Sequence, residues 1–139
     1  MWADAIHLLL VDSEDFVRVS SPKQHLIARD NWDLSGINEE NTHLMVQVME
    51  SWIIADIEAL ANFYGQKFNR NAIPPSNNVE QIAKADVESA LKNATKSTQK
   101  GEYHKINYDP NILAIVDVSI VRNKSAYCDR LYHFIIENL

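Results

Sequence analysis

The sequence predicts a single helix-rich α/β domain over residues 1–139 with a small, parallel-type sheet, and three observations predict it. The run from Ala5 to Val11 is apolar apart from His7, has the length of a buried strand, and ends in Asp12, Ser13, Glu14 and Asp15. A second dense run, Leu44, Met45, Val46, Gln47 and Val48 after His43, has the character of a strand covered on both faces. Around these two strands lie about six stretches of helical period, with no internal repeat and no low-complexity tract.

At 139 residues the chain is long enough to bury about two-thirds of its unfolded surface in one core. Its 46% hydrophobic and 23% charged residues match globular rather than disordered composition. The net charge of −6 argues against coating nucleic acid by bulk charge, which takes many Lys and Arg contacts to phosphate. Cys128 is the lone cysteine, so an intramolecular disulfide and a cysteine-based zinc site are excluded, and its apolar helical setting predicts a buried thiol in a reducing cytoplasm. No run approaches the ~20 apolar residues of a membrane span, so no membrane partner is expected.

The elements follow in order. Ser21-Pro22-Lys23-Gln24 has the form of a capping box with proline at the first helical position, which starts a helix to about Asp30. Asn31 to Thr42 reads as a polar loop anchored by Trp32, and the His43 strand then runs straight into a helix. Met49, Trp52, Ile53, Ile57, Leu60, Ala61 and Tyr64 recur at helical spacing, and Gly65 supplies the stop. Asp56 falls inside that surface and either interrupts the helix or starts a second one. After a Pro- and Asn-rich loop from Gln66, Asn78 opens a short helix, and Asp86 or a neighbour caps the next, Val87 to about Thr98. Asp109-Pro110 starts a further helix to Val116, Asp117 caps one to Arg122, and the last begins near Ser125 with Tyr127, Leu131, Phe134, Ile135 and Leu139 on one face. Two strands make a poor sheet, so weaker strands near Val17 or Ile106, a second copy of the chain, or another polypeptide are expected to complete it.

Three groups of residues could carry chemistry. Asp12 and Glu14 lie two apart at the carboxyl end of a strand, where open α/β sheets place ligands, and in extended geometry both would face one way. Such a pair suits magnesium, which keeps several waters and takes one or two carboxylates with substrate phosphate oxygens. The alternative is that these acids end the strand and cap a turn. Glu50, at the strand–helix junction, is a further ligand, a general base or a helix cap. The segment Lys92 to Lys105 holds Lys92, Lys96, Lys100 and Lys105, with Gln99, Gly101, Tyr103 and His104, against the single acid Glu102. It is the chain's positive patch, suited to phosphate or to a solvated helix face, with the first three lysines on one face if the helix extends that far. His7, His25, His43 and His133 are scattered and read as structural, and no GxxxxGK[ST], GxGxxG, HExxH or GxSxG motif occurs.

Several long motifs in one order, LLLVDSED, HLMVQVMESWIIADIEALANFYG, NAIPPSNNVEQIAKADVESALKNATKSTQKGEYHK and ILAIVD…VRNKSAYCDRL, resemble the bacterial family called domain of unknown function 4276 across almost the whole chain. Members of that family look toprim-like, and some occur beside ATPases in systems resembling phage defence. The resemblance implies magnesium as cofactor and phosphodiester, nuclease-type chemistry. Asp12 and Glu14 stand at the paired-acid motif as metal ligands. The implied catalytic set is Glu50, Lys96, Lys100 and His104, with Lys92, Gln99, Tyr103 and Lys105 contacting substrate. Nucleic acid and an ATPase are the implied partners, with self-association as a further one. Toprim-like relatives carry an earlier glutamate-bearing strand before the paired acids. Its absence leads to the expectation of an N-terminally truncated chain, one part of a split protein, or a copy kept for binding. The competing function is a non-catalytic interaction module whose sheet a partner completes.

Overall fold

Two parallel strands, β1 (Leu9–Asp12) and β2 (Thr42–Met45), lie side by side with Leu9 opposite Thr42 and Asp12 opposite Met45. The computed structural model describes residues 6–139 and, for residues 106–109, the backbone alone. Helix α1 (Pro22–Asp30) connects the strands, and six more follow: α2 (Met49–Ala55), α3 (Ile57–Tyr64), α4 (Lys84–Thr95), α5 (Lys105–Leu113), α6 (Val118–Lys124) and α7 (Ala126–Glu137). The helix-rich α/β class is as the sequence predicts. Among the described residues no helix is long and apolar enough to cross a membrane.

The alternation of strand side chains divides the interior. Leu9 and Val11 of β1, with Leu44 of β2 and Val46 just beyond it, pack with Leu26 of α1 and Leu34. Leu10 and Met45 point the other way, into the main core of Ile53, Leu60, Val87, Leu91, Ile112 and Leu131. The two strands are therefore covered on both faces, which explains their continuous apolar runs.

Local caps form where the sequence places them. The Ser21 hydroxyl accepts from the Gln24 N–H at 3.1 Å, and Asn78, Asp117 and Ser125 each cap the element that follows. Several boundaries differ from expectation. The strands are shorter than the runs: β1 begins at Leu9, with Ala5 outside the described residues, and β2 spans Thr42–Met45 rather than His43 to Val48. The single helix from Met49 to Gly65 is two, α2 and α3, broken at Asp56, the first of the two alternatives left open for that residue being joined to the second. Helix α4 starts at Lys84 behind Ala83, not at a cap provided by Asp86, because the Gln47 side chain accepts from the Lys84 N–H at 3.0 Å. Among the described residues no strand forms near Val17, and Ile106 lies in α5, which starts at Lys105 with Pro110 inside it. Trp32 is exposed rather than anchoring, with the Arg29 guanidinium over its ring, and Leu139 lies beyond α7, 93% exposed.

Asp56 shows how the break is held. Its buried carboxylate accepts from the Ala59 N–H at 3.2 Å, capping α3, and from the Asp117 N–H at 2.8 Å, joining α3 to the start of α6. The Lys124 ammonium donates to the Ala55 carbonyl at 3.0 Å, satisfying the end of α2. Asp56→Ala is expected to lower the unfolding free energy by about 2 kcal/mol, with Asp56→Asn losing less, measured by urea titration.

Candidate active site at the carboxyl edge of the sheet

Both strands end at one edge, and the chain leaves β2 into α2 after three residues. Val48, at the N-cap of α2, has no side-chain acceptor. The Ser51 hydroxyl accepts from the Val48 N–H at 3.3 Å, and Asp12 supplies the missing cap from the neighbouring strand, its Oδ1 accepting from the Met49 N–H at 2.9 Å. The carboxylate is thus held at the positive end of a helix.

Beyond Asp12 the strand geometry does not persist. Glu14 has φ 68°, in the left-handed region, so the two acids do not share a strand face as extended geometry predicts. The turn nevertheless brings both to one open cleft of about 370 Å³, lined also by Val11, Arg29, Met45, Met49 and Lys105. The Glu14 carboxylate pairs there with the Lys84 ammonium. That hydrogen bond holds the Lys84 pKa above its ordinary value.

Glu50, in the first turn of α2, is 4% exposed and partnered by the segment that follows α4. The Tyr103 hydroxyl donates to its Oε2 at 2.9 Å, and the Lys105 ammonium lies 4.0 Å from the same oxygen. Asp12 and Glu50 feel one another. Partial burial raises the Asp12 pKa, Lys105 and the Met49 N–H oppose that rise, and the charges of Glu14 and Glu50 add to it. Arg29 donates to the Asp12 backbone carbonyl at 2.5 Å, fixing α1 against the end of β1.

The positive segment is divided. Tyr103 and Lys105 face the acids, whereas Gln99 and Lys100 line a different cavity beside the end of α3. Lys92, Lys96 and His104 are exposed and line neither. The three lysines do not form one helical face, since α4 ends at Thr95, Lys96 is its C-cap, and Gly101 turns the chain with φ 83°. Sequence spacing missed Arg29, Lys84 and Tyr103's partnership with Glu50, because each reaches the cleft through folding rather than through a local motif.

The family profile for the domain of unknown function DUF4276 matches residues 3–136. The chain belongs to the DUF4276 family. No curated protein and no solved structure matches it. In this DUF4276 domain two of the remaining histidines have structural settings: His25 Nε2 lies 2.8 Å from the Ser13 carbonyl oxygen, and buried His43 takes a hydrogen bond from Arg130 at Nδ1. Cys128 is buried, and burial pushes its thiol up to about 12, which leaves it protonated and unreactive at neutral pH.

Proposed function

We propose that this DUF4276 domain carries out magnesium-assisted phosphodiester cleavage at the carboxyl edge of its sheet, in the manner of a toprim-like centre, with nucleic acid as substrate. The observation that carries the reading is the meeting of Asp12 and Glu14 at one open cleft that also receives Lys105, with buried Glu50 sharing Lys105 and adding its charge to that at Asp12. Among the described residues no group of three or more His, Cys, Asp and Glu side chains is close enough to enclose an ion. The donor chemistry still fits magnesium, because that ion is commonly held by one or two carboxylates, its own waters and substrate phosphate oxygens.

Asp12, through the oxygen not engaged by Met49, and Glu14, on exchanging Lys84 for it, would hold the ion. Magnesium bound there supplies charge neutralisation at phosphate and a more acidic water. The chain's own residues do the rest. Tyr103 orients Glu50, and Glu50 is the base placed to accept a proton from attacking water. Lys105, 62% exposed at its side chain, reaches from the rim to stabilise charge that builds on the phosphate oxygens. Lys96 and His104 are left outside this scheme by their positions.

Calorimetric titration with magnesium and with manganese tests the assignment. Saturable binding is expected for the parent and its loss in Asp12→Asn/Glu14→Gln, and no saturable binding by the parent sinks it. A second reading, an interaction module, draws on one feature: β1 pairs with β2 alone among the described residues, and Ile6 and Leu8 beside it are 46% and 39% exposed. A second copy, or an ATPase partner of the kind seen beside family members, would then add a strand at that edge.

A further inference from the structure

A second cavity lies apart from the acidic cleft. It occupies about 660 Å³ between the end of α3 and the turn after α4, and its lining includes Phe63, Gln66, Lys67, Ser97, Gln99 and Lys100. In a chain of net charge −6, no carboxylate is found among its described lining residues, while two lysines are. Lys67 is presented by a left-handed turn, φ 69°, that follows Gly65 at φ 73°, and the Lys100 ammonium lies 5.0 Å from the centre of the Phe63 ring. Ammonium groups, side-chain amides and a hydroxyl around an open cavity are the donors that bind phosphate oxygens, with Phe63 as an apolar wall beside them.

We propose that this cavity is a second phosphate-binding subsite, which holds single-stranded nucleic acid whose scissile bond lies in the acidic cleft. The inference rests on the nucleic-acid reading of that cleft and adds the direction in which the strand runs. The segment Lys100 to Lys105 joins the two places, with Lys100 in the cavity and Lys105 against Glu50. Five residue steps place the Lys100 and Lys105 Cα atoms at most about 18 Å apart, a span that about five stacked nucleotides cover. A mononucleotide engages one site or the other. A short oligonucleotide engages both, and its affinity carries the gain from linking them.

The test is fluorescence anisotropy of the full chain with labelled DNA and RNA hexanucleotides, in EDTA and over a salt series. Lys67→Gln/Lys100→Gln is expected to weaken hexanucleotide binding about tenfold or more and to reduce the slope of log affinity against log salt by about 1.4, the value for two phosphate contacts to a single strand. Lys67→Arg/Lys100→Arg is expected to keep the parent slope. Lys92→Gln/Lys96→Gln, which removes the same charge outside the cavity, is the control. Parent-like affinity and slope in the Lys67/Lys100 variant overturn the proposal, and so does an equal loss in the Lys92/Lys96 variant. Binding that depends on Lys67 and Lys100, without cleavage when magnesium is added, supports the subsite and removes only the nuclease reading.

Discussion

On the proposed nuclease reading, Asp12→Asn is expected to lower magnesium-dependent cleavage by about a thousandfold, roughly 4 kcal/mol of transition-state stabilisation, while leaving the fold intact. The two outcomes separate because Asp12 has two tasks. Its Oδ1 caps α2 at Met49, and an asparagine oxygen accepts that hydrogen bond as well. Its charge is what the proposed ion would need. Asp12→Ala loses both, and is expected to cost about 1–2 kcal/mol of stability as the cap disappears. The pH dependence gives an independent check. Burial and the neighbouring acids raise the Asp12 pKa in the folded chain above its unfolded value. A raised carboxyl contributes stability that is complete below the unfolded pKa and is lost as pH rises through the folded one. Asp12→Asn lacks that loss, so its stability relative to the parent climbs through this acidic window and then levels off. Urea titrations at a series of pH values measure the difference, and a flat difference contradicts the charge assignment.

Arg130→Ala is expected to cost about 4 kcal/mol, the largest single-site loss of stability proposed for this chain. From α7 its guanidinium donates to the Thr42 carbonyl at 2.6 Å, to His43 Nδ1 at 3.0 Å and to the Glu39 carbonyl at 3.0 Å. Thr42 and His43 are fully buried beneath this guanidinium, so its removal takes the donor from two buried acceptors at once. Lysine is a poor substitute, because one ammonium does not span three acceptors as a planar fork does. The hydrogen bond from Arg130 also sets the His43 tautomer: Nδ1 accepts, so the proton sits on Nε2. Burial first, and then the charge of Arg130, holds the His43 pKa below its ordinary value. The stability tied to neutral His43 is present above the ordinary imidazole range and is lost as pH falls through it toward the lower folded value. Chemical denaturation of the parent and of Arg130→Ala across that range checks both the size and the slope.

The elements most legible in the sequence are those whose signals are local. Ser21, Asp117 and Ser125 each accept from an N–H two or three residues on, so a short window of letters contains the whole interaction. The two apolar runs marked their strands for the same reason, and the acids at the end of β1 marked the edge where the cleft lies. Asp12, Glu14 and Lys105 line that cleft and Glu50 and Tyr103 pair in the interior next to Lys105, whereas Gln99 and Lys100 belong to another cavity and Lys92, Lys96 and His104 to neither.

What tertiary structure decided rests on partners distant in sequence. Asp12 meets Met49 across 37 residues, Tyr103 meets Glu50 across 53, and Gln47 caps Lys84 across 37. No periodicity encodes such pairs. They form because a buried helix end must find an acceptor and a buried carboxylate must find a donor or cation, and packing determines which residue is within reach. The same logic divided the lysine segment: its spacing of four is compatible with one helix face, but the turn at Gly101 separates Lys100 at one cavity from Lys105 at another. Sequence by itself therefore determined the class, the caps and the acidic edge of this DUF4276 domain, and the long-range satisfaction of buried polar groups decided which side chains share a site.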